Sequence, residues 1–166
     1  MEVDVRRVEI KDEVVVNASA TEVWEAIRDP HVHAEWHPFV DSIQGEHAPG
    51  AGRRCAVRLG RKAGETKEHC TDFEEQRRIL WQIDEDSTGF LRLVSDWTAG
   101  FLLEPAGSSA TLVKAQSVFL RKNPLLVLML PMIRRKFHKT QQAILAGLKQ
   151  FVETRPAART VELETG

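Results

Sequence analysis

The amino-acid sequence predicts an α+β fold in which a curved antiparallel sheet of about seven strands wraps around a long C-terminal helix, with two short helices after the first strand. Near the N-terminus, apolar and charged residues alternate with a period of two. Six further strand-like runs, separated by Gly-rich or charged turns, follow between residues 40 and 122. Residues 124–153 then return to helical spacing. A sheet that wraps one long helix must leave an interior between the two.

Length and composition describe an ordinary globular chain. The 166 residues are 42% apolar and 28% charged, with a formal net charge of -1. This length suits one core, so we predict a single domain over residues 1–153 and a flexible tail over residues 154–166. The net charge gives no global attraction to nucleic acid, and no nucleic-acid partner is expected.

The first strand and the two short helices have clear boundaries. The alternation over residues 6–16 predicts a half-buried strand, and Ser19 or Thr21 can cap the helix that follows. Asp29-Pro30 ends that helix. A second short helix is expected with Pro30 in its first turn and Trp36-His37-Pro38 at its end.

The central strands are predicted at residues 40–44, 53–60, 65–74, 79–84, 90–104 and 111–121. Alternation assigns four sets of side chains to the inner face of the sheet: Cys55, Val57 and Leu59; Ile79, Trp81 and Ile83; Leu91, Leu93, Ser95 and Trp97; Val113, Ala115, Ser117 and Phe119. The outer face then carries Arg54, Arg58, Gln82, Arg92, Asp96, Lys114 and Gln116. This pattern does not distinguish a filled interior from a hollow one.

The C-terminal helix is the longest predicted element. One face carries Ile133, Phe137, Ile144, Leu148, Phe151 and Val152. Because Pro131 lies inside the helical pattern, residues 125–130 form either a separate turn or a kinked first turn.

Seven short phrases in this order resemble the START-like, helix-grip superfamily, specifically its bacterial polyketide cyclase/dehydrase and lipid-transport branch (SRPBCC). They are residues 16–24, Asp29-Pro30 with residues 36–40, residues 50–52, 78–81, 96–97, 103–105 with 110–111, and 146–153. The resemblance covers about residues 8–153 and implies a deep, mostly apolar cavity between the sheet and the long helix. It also implies a lipid, isoprenoid or polyketide-like ligand.

The predicted function is therefore binding, and transport, of a small hydrophobic molecule. The expected ligand-binding residues are Trp36, Phe39, Val57, Leu59, Trp81, Leu93, Trp97, Phe119, Ile133 and Phe137. Access is expected between Trp36, Phe39 and residues 125–132. Two alternatives stay open, a polyketide cyclase/dehydrase-type enzyme and a protein-interaction or regulatory domain, because fold alone does not choose among them.

The candidates for chemistry are few. His33 and His37 are spaced as a metal pair, but a third ligand is missing and His31 points elsewhere, so neither a metal site nor a cofactor is expected. His69 is a weak candidate for a catalytic base, and Asp72, Asp96 and Glu104 are further candidates for acid–base chemistry. The chain has no tyrosine, a common acid in enolate chemistry. Cys55 and Cys70 are expected to be free, buried thiols.

The most unusual segment runs from Leu125 to Lys139, where an apolar run is followed directly by basic residues. It is either the buried start of the long helix or a surface that contacts a partner or, transiently, an anionic membrane. No secretory signal or membrane-spanning run is present, which predicts a cytoplasmic protein. We expect a monomer or weak homodimer.

Overall fold

The computed structural model describes residues 6–155, so almost all of the predicted tail lies outside the described residues. The strands are β1 (Arg7–Val16), β2 (Val40–Gly45), β3 (Gly52–Leu59), β4 (Lys62–Glu74), β5 (Arg78–Asp86), β6 (Val94–Pro105) and β7 (Thr111–Arg121). The helices are α1 (Ala20–Arg28), α2 (Pro30–Trp36) and α3 (Leu130–Thr154), and 3₁₀ turns span Phe90–Arg92 and Pro124–Met129. Within this part of the chain, no helix is long and apolar enough to cross a membrane.

The seven strands form one antiparallel sheet in the order β1-β7-β6-β5-β4-β3-β2. Strands β2 to β7 follow one another as a meander, and β1 joins the far edge by pairing with β7. The long helix α3 packs across this sheet, chiefly against β1. The predicted α+β class and architecture are confirmed.

Local sequence accounts for the two short helices. Ser19 accepts a hydrogen bond from the Glu22 N–H, and the Glu22 carboxylate accepts one from the Ser19 N–H, which is a capping box. Asp29 caps α2 by accepting from His31 and Val32, with Pro30 next to it. The Trp36 indole N–H donates to the Ala26 carbonyl at 2.7 Å, which fastens α2 to α1.

The prediction for β6 was wrong at its start. Residues 90–92 form a 3₁₀ turn after Gly89, whose φ is 92°, and the strand begins only at Val94. A bulge between Ser95 and Thr98, where Asp96 has a φ of 51°, then shifts the register. As a result Leu93 is 40% exposed while Val94 is fully buried, so Leu91, Leu93, Ser95 and Trp97 do not share one inner face.

The start of the long helix follows the first of the two predicted alternatives. Residues 124–129 form a separate 3₁₀ turn, and α3 begins at Leu130 with Pro131 in its first turn, where a missing N–H costs no hydrogen bond. Further along, Gly147 lets α3 approach the end of α2 so closely that an added Cβ would lie 2.8 Å from the Trp36 carbonyl oxygen.

Most buried apolar residues form two clusters rather than one continuous core. The larger cluster joins α1, the end of α2, the second half of α3 and the middle of the sheet, with Trp24, Trp36, Trp81 and Leu148 among its members. The smaller joins Val8, Ile10, Val94, Phe119, Leu126 and Ile133 at the other end. A cavity touches both clusters, and this arrangement positions the candidate site.

Candidate ligand-binding cavity

A cavity of about 520 Å³ lies between the inner face of the sheet and α3. Strands β3 to β7 form one wall, and the middle of α3 contributes Phe137, Thr140, Gln141 and Ile144 to the other. Strand pairing explains the sheet wall. Trp81 lies opposite Ala99, and Ala99 lies opposite Ser117, so this row shares one face and lines the cavity.

Six of the ten predicted ligand-binding residues line this cavity: Phe39, Val57, Leu59, Trp81, Trp97 and Phe137. The other four lie elsewhere. Trp36, Phe119 and Ile133 are buried in the core clusters, and Leu93 is exposed at the end of its 3₁₀ turn. The indole of Trp36 packs between α1 and the sheet residue Phe101 and does not line the cavity.

The cavity reaches the surface between the sheet and the middle of α3. Its lining includes four exposed residues, Leu59, Thr88, Lys136 and Lys139, which mark the mouth. None of residues 125–132 belongs to the lining. The predicted access route past that segment is therefore wrong, because the 3₁₀ turn holds it against the smaller cluster, one helical turn or more before the mouth.

A buried ion pair forms the polar end of the cavity. The Arg53 Nε and Glu68 Oε2 are 2.6 Å apart, and the two side chains are only 9% and 11% exposed. The guanidinium carbon also lies 3.8 Å from the ring centroid of Trp81, a cation–π contact. A second guanidinium nitrogen, Nη1, lies 2.8 Å from His47 Nε2. Arg53, Glu68 and Trp81 all line the cavity.

Three histidines surround this ion pair, and their contacts fix where the ring protons are. His47 Nδ1 lies 2.9 Å from the Ile27 carbonyl oxygen, so Nδ1 carries the proton and Nε2 accepts from Arg53. His33 also places Nδ1 near the Ile27 carbonyl, at 3.3 Å. The His37 Nδ1 accepts from the Phe39 N–H, which leaves the proton of the neutral ring on Nε2.

Burial keeps these imidazoles neutral. Desolvation, with a smaller contribution from the Arg53 charge, lowers the pKa of His37 to about 3 and that of His47 to about 4. The pKa of His33 is lowered well below its ordinary value by burial and by His37, Arg53 and His47. Each ring is therefore a fixed hydrogen-bonding group near neutral pH. Among residues 6–155, no cluster of three or more His, Cys, Asp or Glu side chains could hold a metal ion.

Both cysteines are free and buried, which confirms that prediction. Burial is the main cause that raises the pKa of Cys55 to about 12, and burial also raises the pKa of Cys70. A thiol with a raised pKa is a poor nucleophile near neutral pH. Cys55 lines the cavity beside the ion pair, where it acts as a small neutral wall group.

The predicted candidates for acid–base chemistry lie outside the cavity. His69 pairs with Asp84 at 2.6 Å on the outer face of the sheet, Asp72 pairs with Arg78, and Glu104 pairs with Lys114. Asp96 is exposed at the bulge. None of these residues lines the cavity, so His69 has no access to a ligand bound there.

Sequence reasoning missed Arg53 and Glu68, although a signal was present. Arg53 lies two residues before Cys55, and Glu68 lies two residues before Cys70, so alternation places both on the inner face. The register of β3 and β4 sets Arg53 directly opposite Glu68. An oppositely charged pair on the inner face of two neighbouring strands predicts a buried ion pair.

Comparisons with known proteins agree with this architecture. A family model described as "Polyketide cyclase / dehydrase and lipid transport" matches residues 7–153, whereas no curated protein matches the chain. A START superfamily protein from Mycobacterium smegmatis is 17% identical and superposes with a TM-score of 0.71, covering 87% of this chain and 97% of its own.

Two further solved structures have comparable sequence identities and TM-scores. The Zhui aromatase/cyclase from Streptomyces sp. R1128 is 17% identical with a TM-score of 0.74, over 92% of this chain and 98% of its own. A norcoclaurine synthase from Thalictrum flavum, in complex with dopamine and hydroxybenzaldehyde, is 16% identical with a TM-score of 0.70, over 91% of this chain and 89% of its own. These structures share the fold and confirm the predicted START-like, helix-grip architecture.

Proposed function

The chain belongs to the polyketide cyclase/dehydrase and lipid-transport family, and on that premise we propose that it binds one small hydrophobic molecule in the cavity between the sheet and α3. The observation that supports this most directly is a cavity of about 520 Å³ whose wall is mostly apolar and which contains the Arg53–Glu68 ion pair. Sites for small molecules commonly combine an apolar wall with a few polar groups that orient the ligand.

The apolar wall supplies most of the binding free energy. Phe39, Val57, Ile83, Phe90 and Phe137 are among the side chains that a ligand would cover. Each Å² of apolar surface removed from water contributes about 25 cal/mol. The wall alone favours any molecule of suitable size, so selectivity must come from the polar end.

The polar end favours a ligand with a neutral hydrogen-bond acceptor. Two guanidinium nitrogens of Arg53 already contact Glu68 and His47, which leaves three of its five N–H donors for a ligand. Because Glu68 balances the charge of Arg53, a ligand carboxylate would add an uncompensated buried charge. A carbonyl or quinone oxygen would accept the same hydrogen bonds without that cost. For the group that contacts Arg53, we therefore favour the carbonyl of a polyketide-like or isoprenoid quinone-like ligand over the carboxylate of a fatty acid.

A fold relative is known in complex with small aromatic molecules. The norcoclaurine synthase of this fold is in complex with dopamine and hydroxybenzaldehyde, which are small aromatic molecules with polar groups. In the present chain, two lining residues hold buried polar atoms without partners, the indole N–H of Trp97 and the amide oxygen of Gln141. Both atoms are covered by other protein atoms, so a bound polar group would reach them only after these two side chains move.

The first experiment is native mass spectrometry of the purified chain, followed by organic extraction and identification of what is released. We expect one neutral carbonyl-bearing molecule per chain, or, for an empty protein, saturable binding of a hydroxyanthraquinone probe. If the protein bound none of the three probes hydroxyanthraquinone, anthracene and palmitate, the proposed function would be overturned.

A matched pair of double variants tests the polar end. Arg53→Met with Glu68→Leu removes the buried pair, and Arg54→Met with Glu65→Leu removes the neighbouring exposed pair, whose side chains are 51% and 50% exposed. We expect the first variant to bind hydroxyanthraquinone about tenfold more weakly, because a hydrogen bond to a charged donor is lost. The second should bind as wild type. Anthracene has no hydrogen-bond acceptor. If the first variant lost anthracene binding as much as hydroxyanthraquinone binding, the cavity would have collapsed.

A cyclase/dehydrase-type enzyme is the second candidate, and one observation favours it. Arg53 and Glu68 line the cavity together, so a carbonyl held by Arg53 would have a carboxylate close by to accept a proton from the adjacent carbon. His37 also lines the cavity, but its pKa of about 3 makes it a weak base near neutral pH. Turnover that is lost in Glu68→Gln while binding persists would establish the enzyme.

A further inference from the structure

Large apolar side chains project from the surface where the Pro124–Met129 turn meets α3. Leu128 is 82% exposed and Leu125 is 69% exposed. The group, here termed the apolar patch, comprises Leu125, Val127, Leu128, Met129 and Met132. The other exposed large apolar side chains among residues 6–155 are scattered over the fold: Val15, Leu59 and Leu93. Scattered exposed residues are normal, whereas a contiguous group marks a contact surface.

The patch is held on a firm support. Leu126 is 3% exposed and packs with Val8, Phe119 and Ile133, and Leu130 packs against the same cluster. The segment therefore has two faces, one anchored in the core and one directed outward. Burial of a helix start explains the anchored face but leaves the exposed one without a structural role.

The stretch of chain that carries this patch contains no acidic side chain. Residues 105–152 contain no Asp or Glu but eight basic residues, in a chain whose net charge is -1: Lys114, Arg121, Lys122, Arg134, Arg135, Lys136, Lys139 and Lys149. Arg135, Lys136 and Lys139 lie within two helical turns after Met132. In the described part of the chain, no ion pair involves any of these three.

We propose that the apolar patch docks on the surface of an anionic phospholipid bilayer. Aliphatic side chains enter the boundary between headgroups and acyl chains, and adjacent cations attract anionic headgroups. A nucleic acid would use the cations but would leave five exposed aliphatic side chains uncovered. Since no helix of residues 6–155 can span a membrane, this contact is superficial.

The position of the patch links docking to the cavity. Lys136 and Lys139 mark the cavity mouth and follow Met132 by four and seven residues, so all three lie along one face of α3. A docked bilayer would therefore lie beside the mouth, where an apolar ligand could pass between lipid and cavity. The docking proposal itself stands without any ligand in the cavity.

Vesicle flotation tests the apolar contribution. Wild-type protein should float with phosphatidylcholine vesicles that contain phosphatidylglycerol, and far less with pure phosphatidylcholine. Leu128→Ser should lower the partition coefficient about tenfold, because the apolar side chain no longer leaves water. Val15→Ser, at an exposed position on β1 far from the patch, is the matched control and should float as wild type.

Charge variants and assembly state complete the test. Arg135→Gln should weaken binding about fivefold, whereas Arg77→Gln, in the β4–β5 turn, should not. Raising the salt from about 0.1 M to about 1 M should also weaken binding. Failure of wild type to bind anionic vesicles, or wild-type flotation of Leu128→Ser, overturns the proposal. A third result would also overturn the proposal: the wild-type protein does not bind vesicles but self-associates, and Leu128→Ser abolishes the self-association. The patch would then be a protein–protein interface.

Discussion

Arg53 and Arg54 are adjacent in the sequence, yet their environments differ because strand residues alternate between two faces. Arg54 pairs with Glu65 in solvent, where such a pair contributes little. Arg53 pairs with Glu68 inside the cavity, where loss of one partner would leave a buried charge uncompensated. A buried ion pair is weak support for stability, so stability alone does not explain its position beside an apolar cavity, and the proposed role in ligand orientation would explain it.

The three histidines around Arg53 make a prediction about pH. His33, His37 and His47 have lowered pKa values when folded, whereas the unfolded chain protonates them near the ordinary value of about 6.5. Below about pH 6.5 the unfolded state therefore binds more protons, and stability falls as pH decreases toward 4. Each histidine contributes up to about 1.4 kcal/mol per pH unit to the slope of the free energy of unfolding against pH.

Urea unfolding at several pH values between 7.5 and 5 measures this slope, in a range where most carboxylates stay ionised. His37→Asn keeps an acceptor for the Phe39 N–H. It should reduce the pH dependence of the free energy of unfolding by the contribution of one histidine. His31→Asn, at an exposed position of the same short helix, should retain the wild-type slope. A slope that is identical in wild type and His37→Asn would contradict the prediction.

At the scale of elements, local chemistry explains why the two short helices were predictable and the start of β6 was not. The cap at Ser19 and the Asp29-Pro30 boundary use side chains that act within three residues. The bulge at Asp96 depends on pairing with β7, more than twenty residues away, and it restores Trp97 to the cavity wall after Leu93 has turned outward. Alternation alone therefore assigned Leu93 to the wrong face.

The close approach of α2 and α3 predicts the effect of one methyl group. In an exposed helix, Gly→Ala usually stabilises by about 1 kcal/mol. In α3, a Cβ at Gly147 would lie 2.8 Å from the Trp36 carbonyl oxygen, so Gly147→Ala should instead destabilise by about 1–3 kcal/mol. Urea unfolding measures the change. Ala146→Gly at the adjacent exposed position gives the intrinsic helix effect, and stabilisation by Gly147→Ala would show that the helices are not in close contact.

At the scale of the whole molecule, the sequence contained the fold but only part of the site. Strand alternation, helix caps and the C-terminal amphipathic pattern each depend on nearby residues, and together they defined the sheet and α3. A cavity depends on how much volume opposing side chains leave between them, which no local pattern reports. For that reason Phe119 and Ile133 were predicted as lining residues, although they fill the smaller cluster.

A hollow interior has fewer packing contacts than a filled one, and the proposed ligand would occupy that space, which together give the last prediction. Ala99 lies on the cavity wall between Trp81 and Ser117, and Ala99→Leu would place three more carbon atoms into the cavity. We expect this variant, without ligand, to gain about 1 kcal/mol of stability from added apolar burial, seen as a higher Tm in differential scanning fluorimetry. It should also bind hydroxyanthraquinone at least about tenfold more weakly, because the ligand loses its space. Ala56→Leu, on the opposite face of β3, should change neither quantity. Full binding by Ala99→Leu would place the ligand away from this wall, and a lower Tm would mean that the interior is already closely packed around Ala99.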